Sequence, residues 1–122
     1  LDSGLGSAVV RGRRESLAVC FDNILRNALT YSDGDSDVVV EVGRTGDSIE
    51  VRVADRGPGV AEENLERIFD TFYRVDADRA RSSGGHGLGL AIVKRIVDSH
   101  GGRVRAENGR PGLRVIVTLP AA

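Results

Sequence analysis

Two asparagines one helical turn apart, Asn23 and Asn27, stand in the segment FDNILRNALTYS at residues 21–32. Two glycine-rich segments follow, DRGPG at residues 55–59 and GGHGLGLAI at 84–92, with FDTFYR between them. Glycines let backbone approach a ligand closely, because no Cβ stands in the way. Gly85, Gly87 and Gly89 alternate just ahead of an apolar run, and unencumbered amides at a helix N-terminus are an anion site. Each piece alone is weak. In this order, within one small domain, they read as a pocket for a nucleotide and its metal.

The elements that must position these residues are legible from periodicity. Over residues 14–31 the apolar Leu17, Phe21, Ile24, Leu25 and Ala28 recur at helical spacing, predicting an amphipathic helix. At about 100° per residue Asn23, Asn27 and Thr30 cluster along one flank of that stripe. A turn cluster at 32–37 leads into two strands, 38–42 and 49–54, that read as an antiparallel hairpin. Residues 62–73 have the acidic start and apolar spacing of a short helix. Residues 74–84 are charged, small and aperiodic, which reads as a mobile loop. Residues 88–99 return to helix, apolar around most of the circumference, and Gly101 and Gly102 end it. Strands at 103–106 and 113–119 close the chain, and residues 8–11 could form one more short strand. The expectation is an α/β (α+β) two-layer sandwich: a mixed, mostly antiparallel sheet with about three helices packed on one face.

Composition bounds the rest. A chain of 122 residues is one domain, with residues 1–7 reading as linker. The net charge of −1 gives no electrostatic case for nucleic acid or an anionic membrane as partner. One cysteine, Cys20, excludes an internal disulfide and is compatible with a reducing compartment. There is no methionine, not even at position 1, so the chain reads as a fragment of a longer protein.

FDNILRNALTYS resembles the N box of the sensor histidine kinases, DRGPGV their first glycine box, FDTFYR their F box, and GGHGLGLAIVKRIVDSHGG their second glycine box. All four stand in family order, and together with the intervening strands they cover residues 9–120. The chain is thus similar to the catalytic ATP-binding domain of a two-component sensor histidine kinase, with the Bergerat fold that the Hsp90, DNA gyrase and MutL ATPases share. The resemblance implies MgATP as cofactor, with Asn27 as metal ligand and Asn23 as its helper. It assigns adenine recognition to Asp55, with Gly57 and Gly59 alongside and Tyr31 near the base. It places phosphates at Gly85, Gly87, Leu88 and Gly89, and makes Phe72 and Arg74 further nucleotide contacts. Residues 75–83 resemble the family's ATP lid.

Many family members carry lysine or arginine three residues after the metal asparagine; here that position is Thr30. The hydrolases of the superfamily place a glutamate general base one turn before that asparagine, and here stands Asn23, which cannot take a proton. The pocket therefore reads as one that binds ATP and presents its γ-phosphate. The implied partners are a histidine-bearing dimerisation domain of the same parent protein and a cognate response regulator, on the cytoplasmic side, with no direct membrane contact by this domain. An anti-sigma-factor type serine kinase and a non-enzymatic nucleotide-binding module share the fold and are the alternatives.

Overall fold

A computed structural model describes residues 9–32, 37–70, 89–109 and 111–122. The first helix, α1, spans Arg14–Tyr31 and buries Cys20, Ile24 and Ala28, four apart and therefore on one stripe. Glu15 in its first turn suits the positive end of the helix dipole. Leu25, expected on the buried stripe, is 37% exposed. One residue on from Ile24, it is turned about 100° away from the sheet. Cys20 is fully enclosed, and burial pushes its thiol up to about 11. At pH 8 a thiol reagent should therefore label the folded chain at least tenfold more slowly than the chain in denaturant. Equal rates would mean that Cys20 is not enclosed.

Strands β1 (Val39–Thr45) and β2 (Ser48–Ala54) form the expected hairpin, closed by Gly46 at φ 60° and Asp47. Strands β3 (Arg103–Asn108) and β4 (Leu113–Pro120) complete a sheet of order β1-β2-β4-β3, antiparallel at every pair. Of the short strand that residues 8–11 could form, the described residues 9–11 contribute a single bridge, Val10 to Ala121. Of the helix expected over residues 62–73, the described part, residues 62–70, forms two separate 3₁₀ turns, Glu62–Asn64 and Arg67–Phe69, and residues 71–73 lie outside the described residues. Ile68 and Phe69 are both buried, and adjacent residues share a core more readily in a tight turn than on one straight helical stripe.

The second helix, α2 (Gly89–Ser99), buries Leu90, Val93 and Val97. It is more amphipathic than its sequence suggests: Lys94 and Asp98 pair at 3.0 Å on the exposed side, and Ile92 is 36% exposed. Gly101 at φ 73° ends it, with the Gly102 N–H bonded to the Val97 carbonyl and the Gly101 N–H to that of Asp98. Both helices lie on one face of the sheet over Val53, Val115, Val117 and Leu119. Among the described residues the other face carries charge and no helix. There Ile116, wholly buried, has Arg52 and Arg105 as its register neighbours. Glu50 reaches Arg52 at 3.7 Å and Arg105 at 3.9 Å, so the arginine stems cover the apolar side chain; the Arg105 head stays wet, whereas Arg52 Nε is itself buried. Among the described residues no helix is long and apolar enough to cross a membrane.

Candidate functional site

The two helices run antiparallel, and two contacts fix their relative height. At one end the backbone N–H of Arg13 donates to His100 Nε2 at 3.0 Å, and His100 Nδ1 lies 2.8 Å from the Ile96 carbonyl. The ring is therefore neutral and carries its proton on Nδ1. His100 thus ties the start of α1 to the end of α2. At the other end Asn23 Nδ2 donates to the Val19 carbonyl at 2.8 Å, and its Oδ1 lies 3.3 Å from where a Cβ on Gly89 would stand. Asn23 thus marks the level at which α2 begins.

From that level α1 continues for two more turns, about 12 Å of helix axis. Asn27 stands on the first of these turns, half-buried, and its side chain makes no hydrogen bond among the described residues. Tyr31 ends the second, and its carbonyl abuts Gly57, where an added Cβ would lie 2.0 Å from that oxygen. The stretch along these turns, from the described start of α2 at Gly89, past Asn27, to the loop 55–60, is the candidate groove. A helix N-terminus attracts anions, so phosphates fit one end of this groove and a flat base the other.

At the base end Asp55 is 5% exposed. Its Oδ1 accepts from the Gly57 N–H at 2.9 Å and from the Leu113 N–H at 3.1 Å. That leaves Oδ2 as an acceptor for a ligand. Gly57 and Gly112 make this cradle possible, and a Cβ on Gly57 would lie 3.3 Å from Oδ1. A Cβ on Gly112, at φ 93°, would lie 1.9 Å from the Asp55 carbonyl oxygen and 2.9 Å from Oδ1. Gly112→Ala is therefore expected to cost about 2 kcal/mol or more of stability, from the strained backbone and the clash together. Denaturant unfolding measures it, and a midpoint equal to the parent's would mean that Asp55 is not held this way.

Of the residues expected from sequence, the structure brings together Asn23, Asn27, Tyr31, Asp55, Gly57, Gly59 and Gly89 around this groove. Phe72, Arg74, Gly85, Gly87 and Leu88 lie outside the described residues, as does the segment resembling a lid. Thr30 is exposed on the flank that carries the asparagines. Gly112, the Leu113 amide and Asn108 were not foreseen, since turn composition around residues 107–112 marks a bend but not what the bend touches. Among the described residues no three His, Cys, Asp or Glu side chains converge. A cation at the groove would then draw on asparagine oxygen, ligand phosphates and water, a hard and sparse donor set of the kind Mg²⁺ accepts.

Residues 12–122 match the family described as histidine kinase-, DNA gyrase B-, and HSP90-like ATPases. The sensor protein PfeS of Pseudomonas aeruginosa is 46% identical over 108 residues, covering 88% of this chain and 24% of PfeS. The mycobacterial sensor histidine kinase MprB superposes with a TM-score of 0.82 at 30% identity, over 92% of this chain and 74% of that one. Full-length ShkA in complex with AMPPNP gives 0.79 at 30% identity, over 95% of this chain and 24% of that one. The chain thus spans about a quarter of the length of PfeS.

Proposed function

We propose that this chain, which belongs to the histidine kinase-, DNA gyrase B-, and HSP90-like ATPase family, binds MgATP and presents its γ-phosphate to a histidine on a separate dimerisation domain. The observation that supports the reading is the order in which Gly89 at the described start of α2, Asn27 and the loop led by the buried Asp55 stand along α1. Asp55 Oδ2 accepts the adenine amino group, and the loop 55–60 with Tyr31 borders the base. Asn27, with Asn23 one turn away, holds Mg²⁺. When bound, that ion neutralises phosphate charge. Amides at Gly85, Gly87, Leu88 and Gly89 take the phosphates, and Phe72 and Arg74 complete the nucleotide contacts.

Hydrolysis needs a base near the γ-phosphate, and Asn23 supplies none. The neighbouring Asp22 pairs with Arg26 at 2.8 Å on the exposed side of α1. Phosphoryl transfer asks mainly for positioning and charge neutralisation. The acceptor histidine nitrogen forms the new bond to γ-phosphorus as the bond to the β-phosphate oxygen breaks and ADP leaves. From that phosphohistidine a cognate response regulator takes the group in the two-component scheme, and the domain works on the cytoplasmic side, where ATP is found.

Radiolabelled ATP given to this chain together with its parent's dimerisation fragment tests the reading. The label is expected on the fragment, labile to acid and stable to alkali, as a phosphoramidate is. The chain alone should turn ATP over very slowly and stay unlabelled. An acid-stable label, or vigorous hydrolysis by the chain alone, would sink the histidine-kinase assignment.

A further inference from the structure

The tip of the β3–β4 hairpin reaches the base end of the groove at two points. Leu113 and Asn108 are register partners across that hairpin. From Leu113 the backbone N–H holds Asp55, the first residue of the loop. From Asn108 the carboxamide holds the last: its Oδ1 accepts from the Val60 N–H at 2.9 Å, and its Nδ2 donates to the Val60 carbonyl at 2.5 Å. The amide can adopt only this orientation, since a flip would set donor against donor and acceptor against acceptor. One side chain thus satisfies both backbone groups of Val60, as a neighbouring strand would. It also packs against Gly59, where at φ 73° a Cβ would stand 2.7 Å from Oδ1.

We propose that Asn108 is a positioning residue for base recognition, fixing the loop 55–60 so that Asp55 meets the adenine edge at a defined height. This rests on the nucleotide reading given above. The loop contains Gly57 and Gly59, so without an anchor its backbone has many conformations. Asp55 fixes its beginning through Gly57; only Asn108 fixes its end by a side-chain bond among the described residues. Among the described residues the hydrogen bonds of the Asn108 side chain go to Val60, at the base end, so its influence falls on the base.

Asn108→Asp is nearly isosteric but sets a carboxylate oxygen against the Val60 carbonyl, where a donor is required. Binding of MgATP, MgITP and magnesium tripolyphosphate is measured on the 122-residue chain and on the variant. ITP carries a carbonyl where adenine has its amino group, so the ATP-to-ITP affinity ratio reads base positioning. That ratio is expected to fall about tenfold in the variant, with tripolyphosphate unchanged within about twofold. A ratio equal to the parent's overturns the assignment of Asn108. A parent chain with no preference for ATP over ITP overturns the nucleotide reading, and the inference with it. Should Asn108→Asp fail to fold, Asn108→Ala takes the same three ligands. Hydrogen exchange of the Val60 amide in the parent chain gives an independent reading. Protection comparable to the β3–β4 ladder is expected, and exchange at the rate of an open loop overturns the proposal.

Discussion

Asn27→Ala should remove most of the Mg²⁺-dependent part of ATP affinity while leaving the protein folded. Asn27 stands one turn beyond Asn23, whose Oδ1 lies against Gly89, and its side chain makes no hydrogen bond among the described residues. Alanine at a partly exposed helix position is, if anything, stabilising by a few tenths of a kcal/mol, so lost binding cannot be put down to unfolding. Removing even an indirect supporter of a metal ion typically costs 10–100-fold in affinity, and a direct ligand should cost at least that. Calorimetric titration with and without Mg²⁺ separates the terms: the variant should bind ATP alike in both, and adenosine as the parent does. Asn27→Asp should do no better, because its carboxylate faces the triphosphate across a short gap. An Asn27→Ala chain that keeps the parent's Mg²⁺ effect would remove the metal assignment.

The parts of the site that sequence made legible are those that sit on one periodic element or in one short motif. Helical spacing alone put Asn23 and Asn27 together on a flank of α1, and the structure places that flank at the mouth of α2. Asp55 and its glycines were visible because the Asp–Gly–Gly pattern is local. What stayed hidden depends on pairings between distant segments. Asn108 and Val60 are 48 residues apart, and Leu113 and Asp55 are 58. An asparagine in a segment that also holds two glycines and a proline already has a sufficient local explanation as a turn residue. The same limit applies to Leu25, whose apolar character fits a helical stripe, although only packing decides how wide the covered stripe is. The 3₁₀ turns at residues 62–69 were missed for a related reason. Periodicity reports which residues seek the core, and the bend that lets Ile68 and Phe69 both reach it is set by tertiary packing, here against α2.

Two substitutions at Asp55 should separate the carboxylate's structural duty from its recognition duty. Asp55→Asn keeps an oxygen where Oδ1 stands, so the Gly57 and Leu113 N–H groups remain satisfied and stability should change little. In place of Oδ2 it offers an NH₂, which meets the adenine amino group donor to donor. A site built to hydrogen-bond a ligand group discriminates strongly once the partner is mismatched, so ATP affinity should fall at least about 100-fold, near 2.7 kcal/mol. The same NH₂ suits the carbonyl of ITP, so the order of preference between ATP and ITP should reverse. Asp55→Ala, by contrast, strands two N–H donors at a buried position, at about 1–3 kcal/mol each. It should lower the denaturant midpoint clearly as well as abolish binding of either nucleotide. Titration of both variants with both nucleotides, beside their unfolding curves, decides between the roles. If Asp55→Asn bound ATP like the parent and ITP no better, the buried carboxylate would be a structural bracket for the β2–β4 edge, and the base would lie elsewhere.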